Sequence, residues 1–199
     1  MDSDISLEQL NNEVMRKIGR NMLIFQQLEG LLKYIVSSNG SYSGQLGTLK
    51  SKRDKHVAEI VGSTMGQLVG QYLDSTYTSS NSDEQDIDTD KFQIKLGVSI
   101  DCDEEFYLSK KATFAEIVSE RNALIHHLLP KYSISSTDSL ELLDQELERQ
   151  REKLLPELEE LQSFAESIYE SRKLLAEYLQ SEAGIKHIVE GVLPGESRL

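Results

Sequence analysis

Two long stretches of the chain repeat apolar residues every three or four positions, a spacing that suits a helix face and no strand. In the first, Leu7, Leu10, Val14, Ile18, Leu23, Phe25, Leu28, Leu32 and Ile35 mark one amphipathic helix over about 6–36. Ser6 is suited to cap its start, and Ser37-Ser38-Asn39-Gly40 to end it. The second stretch, from Ser136 to about Gln180, reads as one or two long helices. Leu154, Leu158, Leu161, Ala165, Ile168, Leu175 and Leu179 alternate steps of four and three there, interrupted at Arg172. Such a stripe packs on a neighbouring helix, in the same chain or in a partner. Pro156 is expected to kink or restart it.

Between these stretches the pattern is more mixed. A Gly-rich connection leads to a helix over about 56–73, where Val57, Ile60, Val61, Met65, Leu68, Val69 and Tyr72 share a face. Gly62, Gly66 and Gly70 recur every four residues, which allows close helix approach. Residues 75–90 are polar and acidic with little to bury and read as a mobile loop. Phe92, Ile94, Leu96, Val98 and Ile100 then alternate, and Phe106-Tyr107-Leu108 follows an acidic turn, which predicts a β-hairpin. A helix over about 113–129 comes next, with Thr113 and Glu116 as a capping box and Pro130 at its exit. The fold class is therefore mainly all-α: a helical bundle over 1–135 with the loop and hairpin of 75–110 inserted, and a C-terminal helical extension over 136–199.

At 199 residues the chain can bury a core without disulfides or metal, and its single cysteine, Cys102, offers no intrachain bridge. With an acidic start, no apolar leader and no long apolar run, it is expected to be cytoplasmic and to have no membrane partner. No Cys/His spacing suggests zinc, and Asp83 to Asp90 lacks the Gly and Glu of a calcium loop, so no metal or cofactor is implied. No phosphate-binding or dinucleotide glycine motif occurs.

The net charge of −13 argues against a phosphate partner until its distribution is read. Residues 1–74 sum to zero, 75–110 to −6, 111–135 to +1 and 136–199 to −8. The one positive quarter holds Arg121-Asn122-Ala123-Leu124-Ile125-His126-His127. At about 100° per residue, Ile117, Val118, Leu124, Ile125, Leu128 and Leu129 fall on one face with Arg121 in its middle. Asn122 and His126 share a flank, and His127 points to the opposite side. A guanidinium on a core stripe needs a carboxylate, a cleft or an interface. Glu29, in the apolar part of the first helix, is the candidate partner. Two readings follow: a structural ion pair with a surface histidine, or a groove where the arginine holds phosphate and the histidine moves a proton. Lys50, Lys52, Arg53 and Lys55 form a basic run that suits an RNA backbone or simply a solvated helix entry. His56 and His187 receive no role.

The segment Arg121-Asn122-x3-His126 resembles the R-x(4–6)-H motif of HEPN domains, in the form where a polar residue follows the arginine. The resemblance covers about residues 6–135 and implies a HEPN-like helical bundle. It further implies a metal-independent endoribonuclease with a composite dimer site, in bacterial defence or a toxin–antitoxin system. The expected partners are RNA, a second copy, and an antitoxin or sensor protein. His126 is then general base or acid, Arg121 stabilises the phosphorane, Asn122 orients, and Glu29 supports the arginine. His127 stands beside them as the alternative histidine of an R-x5-H reading. Toxins of the paired HEPN/MNT type carry a tyrosine two residues beyond the histidine, where this chain has Leu128. The alternative is a non-catalytic helical interaction protein, or a nucleotide-binding one.

Overall fold

The computed structural model describes residues 6–78, 92–128, 132, 133 and 135–190. The protein is mainly α-helical. In chain order its elements are α1 (Leu7–Ser38), β1 (Gly40–Gly44), α2 (Leu46–Val61), α3 (Met65–Thr76), β2 (Tyr77–Thr78), β3 (Phe92–Leu96), β4 (Ile100–Asp101), α4 (Glu104–His126), α5 (Thr137–Gln180) and α6 (Glu182–Glu190).

The two stripes meet each other. Helix α5 packs along α1, so Leu140, Leu147, Leu154, Leu161 and Ile168 of the C-terminal stretch share one core with Val14, Leu28, Leu32 and Ile35. Polar groups fix the register of that pair. Asn21, fully buried, donates to the Leu147 carbonyl at 2.8 Å and to Gln150 Oε1 at 2.9 Å. At the rim, Lys17 reaches Asp144 at 2.8 Å and Arg20 reaches Glu148 at 2.9 Å. Helix α5 is continuous through Pro156, which lies on its exposed side. Helices α3 and α4 complete the core with Leu68, Tyr72, Phe114 and Ile117.

Ser6 caps α1 as expected, its side chain accepting from the Gln9 amide. The expected helix over 56–73 is instead two. Gly62 ends α2, and Thr64 starts α3 through a capping box with Gln67, a start signal inside an apolar-periodic run. Of the glycine series, Gly66 alone faces another helix side chain, Val118 of α4, at 3.8 Å from its would-be Cβ.

The expected hairpin is also corrected. Strand β3 exists, but it pairs antiparallel with β1, Gly40 opposite Leu96, while β4 pairs in parallel with β2. Phe106, Tyr107 and Leu108 are helical, because α4 begins nine residues before the expected Thr113. Asp103 caps it, accepting from the Phe106 amide at 2.8 Å, and Glu104 and Glu105 stand favourably against the helix dipole. Thr113 and Glu116 form no capping box: the threonine hydroxyl donates back to the Ser109 carbonyl, and Glu116 pairs with Lys153. Of the expected mobile loop, residues 75–78 belong to α3 and β2, with Thr76 and Tyr77 buried, and the rest lies outside the described residues.

Candidate functional site

Helix α4 lies among α1, α3 and α5, and its C-terminal turns carry the motif. Toward α1, Arg121 Nη2 stands 3.9 Å from Glu29 Oε2, and Arg121 Nη1 donates to Asn122 Oδ1 at 3.3 Å. The first distance exceeds a hydrogen bond, so it is a long ion pair. Glu29 spends its other oxygen on Lys33, which donates to Oε1 at 2.7 Å. The carboxylate thus joins two cations, and both Arg121 and Glu29 keep about a quarter to a third of their side-chain surface in solvent, 30% and 26%. The core stripe is therefore incomplete at this end: Ile125 is exposed and Arg121 only half-buried.

His126 is the last residue of α4 and His127 its C-cap, whose amide donates to the Ala123 carbonyl at 2.9 Å. Both imidazoles are exposed and meet edge-to-face, ring centroids 6.3 Å apart. Asn122 is exposed as well, one turn before His126 on the same flank. The structure thus brings Arg121, Asn122 and Glu29 together. It does not bring His126 onto the guanidinium, since five helical residues separate the two by about 140°. His127 faces α5 and lines a pocket of about 60 Å³ with Glu120, Ala123, Leu124, Leu128, Tyr132, Leu143, Glu146, Leu147 and Gln150. This pocket joins residues far apart in sequence, and only the i, i+7 spacing of Glu120 and His127 hinted at it.

The basic run lies elsewhere. Lys50, Lys52, Arg53 and Lys55 are exposed on α2, which packs on α1 and β1. Lys52 donates to the Ser43 carbonyl at 2.5 Å and Lys55 stands 4.0 Å from Glu59. No hydrogen bond or ion pair among the described residues links this run to Arg121 or His126.

A second cation of α4 has a different setting that sequence reading missed. Lys110 is only 12% exposed and donates to both oxygens of Glu157, at 3.2 and 3.0 Å, and to Glu160 at 2.5 Å. Glu160 also accepts from the Tyr77 hydroxyl at 3.1 Å, and that hydroxyl lies 3.1 Å from the Tyr72 hydroxyl. Burial pushes Tyr72 up to about 12, and burial with the Tyr72 hydrogen bond raises Tyr77 further. Burial alone lowers Lys110, but the two glutamates outweigh it and raise the ammonium above its ordinary value.

Among the described residues no cluster of His, Cys, Asp or Glu is disposed to hold a metal ion, and no helix is long and apolar enough to cross a membrane. Compared with known protein families, with curated proteins and with solved structures, the chain matches none.

Proposed function

We propose that the chain is an endoribonuclease of the HEPN type that cleaves RNA without a metal ion, in a bacterial defence or toxin–antitoxin setting. One observation supports this most: Arg121 is anchored to Glu29 by a long ion pair and shares Asn122, yet stays open to solvent beside two exposed histidines. Lys110, by contrast, is nearly enclosed and donates to two glutamates. A half-open fork with spare donors suits a phosphate.

In this reading His126 takes the proton from a ribose 2′-hydroxyl, whose oxygen forms a bond to phosphorus. The bond from phosphorus to the 5′ oxygen breaks, and that oxygen receives a proton from a second histidine. The products are a 2′,3′-cyclic phosphate and a 5′-hydroxyl end. Arg121 faces the charge on the non-bridging oxygens in the transition state. The angle between Arg121 and His126 on one helix favours pairing across a homodimer, where one chain's arginine and another's histidine meet at the same phosphate. Incubating the purified protein with RNA in EDTA, beside Arg121→Ala and His126→Ala, tests the chemistry. Light scattering at micromolar concentration tests the dimer, and a monomer that still cuts RNA removes the composite site.

A different observation favours the interaction reading. The α5 stripe outruns α1: Arg172 donates to the Ser38 carbonyl at the end of α1, and beyond it Leu174, Leu175 and Leu179 are 63, 39 and 41% exposed. An antitoxin or sensor protein is the kind of partner expected there. The EDTA assay separates the two readings.

A further inference from the structure

Glu29 stands between two cations that come from different helices. Lys33, one turn further along α1, donates to its Oε1 at 2.7 Å, and Arg121 of α4 lies 3.9 Å from its Oε2. Lys33, Glu29 and Arg121 keep 28, 26 and 30% of their side-chain surface in solvent, so each is mostly covered yet open to a ligand. A Glu–Lys pair at i, i+4 is by itself an ordinary helix contact. The third group changes its meaning. One carboxylate cannot neutralise two cations, so the cluster carries an excess positive charge, with no second carboxylate in contact among the described residues. Between α4 and α5 the proportion is reversed: Lys110 meets Glu157 and Glu160, and Lys153 meets Glu116 and Glu120. Partial burial makes an uncompensated charge costly, and an anion from solution relieves it.

The two contacts and the width of one carboxylate keep Lys33 Nζ and Arg121 Nη2 within about 9 Å of each other. Neighbouring phosphates of one nucleic-acid strand can match that separation. The two cations also differ in kind: Arg121 is a planar fork suited to a bidentate hold, and Lys33 is a compact point charge. We propose that Lys33 is a second phosphate-holding residue of this site, taking the phosphate beside the scissile one while Arg121 faces the reacting group. The RNA strand is then laid across α1 and α4, with Glu29 fixing the spacing of the two cations. The inference rests on the ribonuclease reading for what happens to the strand; the phosphate-holding pair itself needs only Lys33, Glu29 and Arg121.

The test uses the full chain and a short fluorescent RNA whose 2′ oxygens are methylated, so that it binds without being cut. Its affinity is measured by anisotropy at several salt concentrations. Lys33→Gln is expected to weaken binding about fivefold and to lower the slope of log affinity against log salt by about 0.7, one phosphate contact on a single strand. Lys33→Arg is expected to keep both at the wild-type level. With cleavable RNA, Lys33→Gln is expected to raise KM by a similar factor and to leave kcat within about twofold. A lysine that serves the helix alone moves the melting temperature and none of these readouts, so wild-type affinity and slope in Lys33→Gln overturn the proposal. A wild-type protein that does not bind this RNA overturns it too. The Lys33 side-chain NMR signals of the wild type should shift on titration, which keeps the test open if the variant folds poorly; signals that stay fixed overturn the proposal. Lys33-dependent binding without cleavage of ordinary RNA leaves the phosphate-holding pair standing and removes the ribonuclease reading. Cleavage that Lys33→Gln leaves unchanged does the reverse.

Discussion

The two ends of α4 hold their cations in opposite ways. Near its start, Lys110 is nearly enclosed and donates to two glutamates, one of them tied onward to Tyr77 and Tyr72. Near its end, Arg121 is a third exposed, 3.9 Å from one shared carboxylate, and the histidines beyond it are open to solvent. The first arrangement satisfies every group and ties α4 to α5 and β2. The second leaves donors unused at the mouth of the bundle. On one helix, the saturated cation is tied into the fold, and the incompletely coordinated one is the one that the proposed function uses.

The largest effect expected from this contrast is on activity. Arg121→Ala is expected to lower RNA cleavage by about 10²–10³-fold, and His126→Ala by about 10²–10⁴-fold. Neither should move the melting temperature by more than a few degrees, since both side chains lie outside the closed core. A large loss of stability in Arg121→Ala breaks the comparison, because the arginine then serves the fold as Lys110 does.

Lys110→Met is the mirror experiment. It leaves Glu157 and Glu160 facing each other with no cation, at a cost of about 3 kcal/mol for a nearly enclosed pair. In a chain of this size that lowers the melting temperature by about 6–12 °C, with the Arg121 chemistry untouched per folded molecule. Unchanged thermal stability removes the structural role.

The Lys110 end is also the alkaline-sensitive one. Tyr72, Tyr77 and Lys110 all titrate above their ordinary values in the fold, because burial holds the tyrosines neutral and the glutamates hold the lysine charged. A raised folded value contributes stability that is complete below the unfolded value and lost as pH rises through the folded one. Denaturation midpoints should therefore fall from about pH 10 toward 12, and Tyr72→Phe should flatten that fall. A wild-type midpoint that stays level over this range, or the same slope in both proteins, argues against the network.

The smallest effect expected is that of His127→Ala. Cleavage and melting temperature should stay close to wild type, within about 0.5 kcal/mol of stability, because the ring faces the α5 pocket rather than the Asn122 flank. If His127→Ala is inactive and His126→Ala active, the motif works as R-x5-H and the flank assignment is wrong.

Much of the architecture was legible because helix periodicity is a local property. The stripes from Leu7 to Ile35 and from Leu154 to Leu179 needed only their own spacing, and Ser6 capped where its side chain predicts. The helix break at Gly62-Ser63-Thr64 was also written locally, as Thr64 and Gln67, but an apolar run across it hid the signal. Strand pairing was not legible. The alternation of Phe92 to Leu96 does not say whether the neighbour is Phe106 to Leu108, nearby in sequence, or Gly40 to Gly44, some fifty residues away.

For the candidate site, the sequence by itself determined the placement of Arg121, Asn122 and His126 around one helix, since 3.6 residues per turn leaves no freedom there, whereas His127 is the non-helical C-cap. It also singled out Glu29 as the carboxylate within the apolar part of the first helix. Only the tertiary structure decided that α1 brings Glu29 to 3.9 Å, that Lys33 shares it, and that Arg121 stays open. Only α5, lying against α4, turned the flank of Glu120 and His127 into a pocket and took Lys110 into a closed network. The physical reason is range. Periodicity and capping act within a few residues, whereas burial, charge saturation and cavity shape depend on which distant surface the packing brings alongside.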